Sequence, residues 1–415
     1  MNDISSAAQK SRFARTKNPS NTYFAALDGY RGSLSLVVAA YHTIWLSNIN
    51  QTAFLNNGPV IIDLFFALSG FLMFYLYKDK IVDFRSTLTF MKRRFARLYP
   101  LHLFTLLLLV LYSVLRIFLH SNGIAEQEVG EILPFHEGAL DGWGTLASNV
   151  FLLHSLGFHD GLTFNAPSWT ISVEFFTYAV FAVLILFLKP KTFWHYVVLT
   201  GVSFLIYAGL STQKPDMNIT HDYGALRCIA GFTLGGVAAF AHRKIKNIVE
   251  TWSLPKLTVI ECITVLIGAS FVIYCPGKLQ FFVGPIILGF ILVFSFDGGL
   301  ISRLLSARPF RYLAKISYSI YMTHFMIAIA FNIFAERIAP KFLGVEWNAT
   351  GLGGDILLLP YLFVVILVSH FTYKIVEVKG GRLISKLTLS KPSTSCVAGK
   401  IGLPAGHEQR YKSKN

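Results

Sequence analysis

Residues 33–46 read SLSLVVAAYHTIWL, and one imidazole, His42, interrupts this apolar run. Arg31 stands eleven residues before it. On an α-helix eleven residues make three turns, so the two side chains share a face, ~16 Å apart along the axis. A helix entering a bilayer near residue 33 puts the guanidinium at one surface and the imidazole about halfway across a ~30 Å hydrocarbon layer. Ionisable groups at that depth are costly, and they mark sites and pathways.

Composition agrees with a membrane setting. Hydrophobic residues make up 53% of the 415 and charged residues 14%, whereas soluble domains carry about 25% charge. Apolar runs long enough to span recur ten times, at 33–49, 59–77, 98–119, 167–188, 193–211, 223–241, 257–274, 279–296, 312–334 and 352–373. The run 146–156 is too short and reads as an interfacial or re-entrant piece. The expected fold is all-α, a polytopic membrane protein of about ten helices.

Charge placement sets the expected orientation. With both ends cytoplasmic, the inside segments and span ends hold 31 of the 37 Lys and Arg. The outside loops hold four, and the loop 120–166 has none. Arg116 and Arg227 fall inside spans. This is the positive-inside pattern of a multi-pass protein, to be expected in the cytoplasmic membrane if the source is bacterial. The net charge of +15 is divided among short loops, so it describes topology and excludes a nucleic-acid partner.

The expected organisation is a cytoplasmic N-terminal segment 1–22, a transmembrane domain 23–378 and a disordered cytoplasmic tail 379–415. The first twenty residues lack the apolar core of a signal peptide. The four cysteines, Cys228, Cys262, Cys275 and Cys396, show no metal-ligand spacing or disulfide framework. Sequons at Asn50, Asn218 and Asn348 all fall outside, and matter only in a eukaryotic secretory pathway.

Five segments carry polar residues in a fixed order. LDGYRGSLSLVVAAYH (27–42) opens the first span, and IIDLFFALSGFLM (61–73) carries Asp63. KRRFARLYPLHL (92–103) leads into the third span, and APSWTISVEFFTYAVF (166–181) carries Glu174. ISYSIYMTHFMI (316–327) lies in the ninth. Together they resemble the acyltransferase-3 family of integral-membrane acyltransferases over about residues 24–376. YKIVEVKG (373–380) keeps the family's closing Glu as Glu377 but not the Arg-Pro that usually follows. The resemblance implies transfer of an acyl group, commonly acetyl, from cytoplasmic acyl-CoA to a hydroxyl of a glycan or lipid-linked glycan. The family's Arg-and-His pattern falls on Arg31 and His42, and its Arg-x-x-Arg pattern on Arg94 and Arg97. Its second-span Asp falls on Asp63. Its Trp-Ser-x-x-x-Glu pattern falls on Trp169 and Glu174, with Thr170 keeping the hydroxyl.

Residue chemistry offers a role and a bland alternative at each position. His42 can accept and return a proton near neutrality, or simply bond a neighbouring helix. Glu174, ~10 Å below the outer surface by helix rise, can orient the imidazole, or serve as a buried Glu bonded to Arg227 or a Tyr. Arg93, Arg94 and Arg97 suit CoA phosphates, or anchor a helix at the boundary. Arg31 reaches the same phosphates or shapes the site. Asp63 joins the first two spans or helps orient His42. Tyr318, Tyr321 and His324 share the ninth span, where Tyr and His can bond acceptor hydroxyls and aromatic packing is the other reading. Arg227 needs a carboxylate or a watery cavity, with Glu174 and Asp63 as candidates. Gly29, Gly32 and Gly70 permit close helix approach.

The reading is a membrane-embedded O-acyltransferase. His42, Glu174 and Asp63 form its catalytic set, and Arg31, Arg94 and Arg97 hold acyl-CoA. Trp169, Tyr321, His324 and Arg227 meet the acceptor, and no metal is involved. The competing class is a polytopic transporter or glycan exporter using intramembrane His, Glu and Arg.

Overall fold

The computed structural model describes residues 23–124, 132–343 and 350–388, without the side chains at 337, 342 and 343. Segment 1–22, Asn348, Cys396 and the tail from 389 lie outside the described residues. Every element below belongs to one compact body, Ala25–Leu389.

Among the described residues every regular element is helical. The long ones are α1 (Ala25–Tyr41), α2 (Ile61–Tyr77) and α3 (Phe84–Ser121), then, after the short α4 (Trp143–Val150), α5 (Trp169–Leu188) and α6 (Phe193–Gln213). α7 (Gly224–Val249), α8 (Leu254–Tyr274), α9 (Val283–Phe294), α10 (Arg308–Ile333) and α11 (Gly351–Thr372) follow, and α12 (Lys379–Thr388) ends the described chain. Nine helices among the described residues are long and apolar enough to cross a membrane. α1, with 17 residues, is ~25 Å long and falls just short of a ~30 Å layer.

Three expected boundaries move. The first span was expected over 33–49, but its helix runs from Ala25 to Tyr41. Hydropathy passes over its first turns because they contain Asp28 and Arg31, which pair with each other at 2.9 Å. Gly29 and Gly32 then let this stretch pack closely, for a Cβ there would meet Leu305 and the Ala314 backbone. The third span extends by fourteen residues at its start, so Arg85–Arg97 lie on the helix itself. Asp83 caps that start with a carboxylate accepting from Ser86 N at 2.7 Å. The tail expected from 379 begins as helix α12. It follows a π-turn at Tyr373–Val378.

Long-range contacts identify the two ends of the bundle. The Asp297 carboxylate accepts from Ala25 and Ala26 at the start of α1. Arg243 of α7 reaches Asp79 after α2, and Arg97 of α3 reaches Glu377 after α11. These define a basic end. At the distal end the Trp45 indole donates to Gly354 O at 3.1 Å, and Ser47 bonds Asp355 at 2.6 Å.

The centre is built from small residues. A Cβ on Gly70 of α2 would collide with the Phe232 carbonyl of α7, and one on Gly235 with the Ala67 carbonyl. Two-thirds of the apolar window of each helix is accordingly buried, against 11% for α8, which stands at the periphery. Where helices cannot gain from burial against water, such close backbone approach supplies the packing. The segment after α3 folds back into the bundle as the short run 146–156 suggested. Asn149, His154 and Ser155 are buried, and the His102 ring bonds Asn149 O at 2.9 Å.

Candidate active site

A cavity of about 180 Å³ opens at the distal end, where α1, α2, α5, α7 and α10 converge. Val38, Tyr41 and His42 form one wall, and Trp169, Arg227 and Tyr321 another. Gly58, Leu162, Asn218 and Thr220 come from connections between helices.

His42 is the first residue past α1, yet it completes that helix's last turn. Its N–H bonds Val38 O at 3.2 Å, so the axial separation from Arg31 stays ~16 Å. Its depth differs from expectation. Because α1 starts at residue 25, His42 sits ~25 Å along from the helix start and at the distal end, not halfway. The ring Nδ1 also lies 2.9 Å from Val38 O. A carbonyl can only accept, so Nδ1 carries the hydrogen and Nε2 presents a lone pair.

The ring facing His42 is His324, with centroids 5.0 Å apart. His324 is fully buried. Its Nδ1 bonds Ile320 O at 3.1 Å, and its Nε2 has no hydrogen-bond partner. Tyr361 of α11 holds the two helices in register, bonding Ala39 O at 3.1 Å and His324 O at 3.2 Å. Tyr321, one turn before His324, donates to Pro167 O and accepts from Thr170, each at 3.0 Å. The hydroxyl retained at Thr170 therefore fixes Tyr321 at the cavity wall.

Arg227 and Asp63 meet, and they meet each other. Both are fully buried. The Asp63 Oδ2 accepts from Arg227 Nε at 3.0 Å and Nη2 at 2.6 Å, and Oδ1 accepts from Tyr207 at 2.9 Å. Arg227 also donates to Ile219 O and Pro59 O, under the Trp169 ring. Asp63 is thus the carboxylate that Arg227 requires. Of the two roles expected for Asp63, orienting His42 has no contact behind it, for among the described residues no hydrogen bond joins Asp63 to His42.

Glu174 lies one and a half turns below Trp169 and is half-buried. It accepts from Tyr178 at 2.6 Å, and Tyr178 also bonds Ser69 at 2.9 Å. Among the described residues no hydrogen bond or ion pair joins Glu174 to His42. The expected Glu–His pair is not formed, because His42 stands a step further toward the distal end. Glu174 is within electrostatic range of Tyr318 and Tyr321, and so occupies the polar middle of the bundle.

The arginines of the basic end divide. Arg31 bonds Asp28, Ser317 Oγ at 3.2 Å and Ala314 O at 3.3 Å, which straps α1 to α10. Arg97 pairs with the buried Glu377, to which Ser319 donates at 2.8 Å. The π-turn sets Glu377 inward. Both arginines are committed to protein partners. Arg94 differs. It donates to the Tyr77 hydroxyl at 3.1 Å and lies over the Tyr77 and Phe90 rings, while its buried Nε has no partner. Beside it a groove of about 360 Å³ is lined by Tyr77, Lys80, Arg85, Phe90 and Arg93.

Comparison with known proteins decides the family. A family model described as an acyltransferase domain matches residues 24–374. The chain belongs to the acyltransferase-3 family. Among curated proteins it is similar to the peptidoglycan O-acetyltransferase OatA of Listeria monocytogenes serovar 1/2a, at 25% identity over 75% of this chain and 50% of that one. It is similar to the acyltransferase MdmB of Streptomyces mycarofaciens, at 30% identity over 30% of this chain and 27% of MdmB. It is also similar to protein 2 in the picA locus of Rhizobium radiobacter, at 37% identity over 22% of this chain and 46% of that protein. The chain thus spans half or less of the curated relatives it matches. No solved structure matches. The acyltransferase-3 match covers every polar residue of the cavity and all three basic-end arginines, but stops three residues short of Glu377.

Sequence reasoning placed His42, Trp169, Tyr321, His324 and Arg227 in one neighbourhood, and all five gather at or beside the cavity. It did not find Leu162, Asn218 or Thr220, since they lie on connections where no periodicity reports burial. Nor did it find that His102 and His154 stack at 5.5 Å, a pairing across 52 residues that only the infolded segment creates.

Proposed function

We propose that this acyltransferase-3 protein moves an acyl group, acetyl in the first instance, from acyl-CoA to a hydroxyl of a glycan or lipid-linked glycan. The observation that carries the reading is the distal cavity, where a bare imidazole Nε2 meets an indole, an amide and a hydroxyl side chain. Sugars stack on indole faces and bond amides and hydroxyls, so the wall suits a glycan. The similarity to OatA, a peptidoglycan O-acetyltransferase, supports a cell-wall acceptor.

The basic end faces the cytoplasm in this reading, on the Lys and Arg distribution. Arg94, with Lys80, Arg85 and Arg93 along the adjoining groove, receives the CoA phosphates. The thioester arm then passes Tyr318 and Glu174 toward His42. His42 Nε2 removes the acceptor proton, and the freed oxygen pair attacks the acyl carbon. The carbon–sulfur bond breaks, and the departing CoA sulfur takes the proton back from His42. Arg31 and Arg97 contribute as struts.

Purified protein in lipid nanodiscs, given radiolabelled acetyl-CoA and soluble peptidoglycan fragments, tests the proposal. Label should enter the glycan with one CoA thiol released per acetyl group. Movement of glycan across proteoliposomes without any acetyl incorporation would establish an exporter instead.

A further inference from the structure

The positive-inside pattern explains why connections at the distal end are poor in Lys and Arg, but not why they are rich in acids. By sequence, residues 122–168 hold six Asp and Glu and no Lys or Arg. Residues 214–223 hold Asp216 and Asp222 against Lys214, and residues 275–282 hold Lys278 alone. Residues 334–350 hold two acids and two bases, and residues 42–60 hold neither. The balance is ten acids to four bases, in a chain whose net charge is +15.

Some of this charge is fixed at the lip of the cavity. Asp216 accepts from Asn218 N at 2.8 Å, and Asp222 from Thr220 N at 3.3 Å. Asn218 and Thr220 line the cavity, and Asp216 is within electrostatic range of Tyr41 on its wall. Asp160 is exposed two residues before Leu162, another lining residue. The cations of the same lip are Lys214, which pairs with Asp222, and Lys278, which is exposed. Three carboxylates against two ammonium groups leave the lip negative.

Inside, formal charge is cancelled. Of the described residues that line the cavity, only Arg227 is a Lys, Arg, Asp or Glu. Its Nε and Nη2 donate to Asp63, and it donates further to Ile219 O and Pro59 O. The pair adds no net charge. The side chains left to meet an occupant, among them Tyr41, Trp169, Asn218 and Thr220, are uncharged, and His42 must be neutral to act as a base. A carboxylate or phosphate brought here would pass like charge at the lip, lose its water, and find no free cation inside. An ammonium would be attracted at the lip, but would find no free carboxylate inside. A sugar bearing only hydroxyl and amide groups meets neither penalty.

We propose that the sugar seated at His42 is an uncharged one, and that the negative lip and the charge-neutral cavity together reject sugars carrying a carboxylate or phosphate. This deepens the acyl-transfer reading above and rests on it. On a cell-wall glycan of alternating hexosamines, the ring acylated is then the one without the carboxylate.

The test uses nanodisc-held protein, radiolabelled acetyl-CoA and two sets of acceptors. The first set is glucosamine trisaccharides in N-succinyl and N-succinamoyl forms, alike in size and differing in charge, with the N-acetyl and free-amine forms beside them. The neutral succinamoyl form should exceed the succinyl acid in kcat/KM by about tenfold or more. Asp216→Lys, which reverses the charge at the lip, should narrow that ratio by about threefold or more. The ratio is read rather than the rate, so a general loss of activity in the variant does not disturb it. The second set is peptidoglycan strands stripped of peptide, where uncharged and carboxylate-bearing hexosamines alternate. Label should map to the uncharged sugar, and this map alone decides if no trisaccharide is used. Equal transfer to the acid and its amide, or a ratio that Asp216→Lys leaves unmoved, would overturn the proposal. So would faster transfer to the free amine than to the N-acetyl form, or label on the carboxylate-bearing sugar. A wild-type protein that transfers acetyl to none of these acceptors would overturn the acyl-transfer reading instead.

Discussion

Two arginines at opposite ends of the bundle show how surroundings assign a role to the same side chain. At the distal end Arg227 makes four hydrogen bonds, two of them to Asp63. Asp63 is completed by Tyr207, and neither charge has anything further to seek. At the basic end Arg94 makes one, to a phenol, and keeps a buried Nε without a partner. A buried charge with a carboxylate is a lock between helices, and one held by aromatic faces and a hydroxyl is ready for an anion that arrives later. The lock borders the cavity where the acceptor is proposed to sit, and the open guanidinium borders the groove proposed for CoA.

The largest effect should come from breaking the lock. Asp63→Ala strands Arg227 in the interior, and stranded buried charges cost about 3–5 kcal/mol. Thermal unfolding in detergent should show a large fall in Tm. Replacing both partners with apolar residues, as in Asp63→Leu with Arg227→Met, should recover much of it. An unchanged Tm in Asp63→Ala would mean the pair is not the lock described.

A smaller and different effect is expected at the open end. Arg94→Ala should raise the KM for acetyl-CoA by about tenfold or more, the loss of a charge-assisted phosphate contact. Its kcat and Tm should change little, since the contact binds ground and transition states alike. Arg97→Ala should do the reverse, lowering Tm by leaving the buried Glu377 unpaired, with a smaller effect on KM. If the two variants behave identically, the division among the basic-end arginines is wrong.

The smallest effect concerns Asp297, which caps α1 with hydrogen bonds from Ala25 N at 3.0 Å and Ala26 N at 2.7 Å. Burial pushes its carboxyl up to about 6 from 3.8. The folded state therefore binds a proton more tightly than the unfolded chain. Its contribution to stability is full below pH 3.8 and is lost as the pH rises through about 6. Asp297→Asn should flatten the pH dependence of Tm across that window. A slope identical to wild type would assign the dependence to other groups.

Much of this was legible in the chain. Ten apolar runs carry through as helices, because in a bilayer backbone groups must be satisfied within each span and hydropathy reports this directly. The first run was misplaced by eight residues because Asp28 and Arg31 hide a helix whose charges cancel within one turn. The polar residues of the cavity were also legible, since an imidazole or guanidinium in an apolar run stands out. Their pairing was not. Whether Arg227 meets Asp63 or Glu174, and whether His42 meets Glu174 or His324, depends on helix neighbours and on a step of a few residues in depth. Neither is encoded in local pattern.

The central claim is that His42 at the distal cavity is the base of acyl transfer. The most direct measurement is acetyl transfer to peptidoglycan fragments by nanodisc-held wild type and His42→Ala, with acetyl-CoA binding measured on both. The account predicts ~10²–10⁴-fold slower transfer in His42→Ala, with acetyl-CoA binding and Tm retained. Transfer at near wild-type rate in His42→Ala would contradict it.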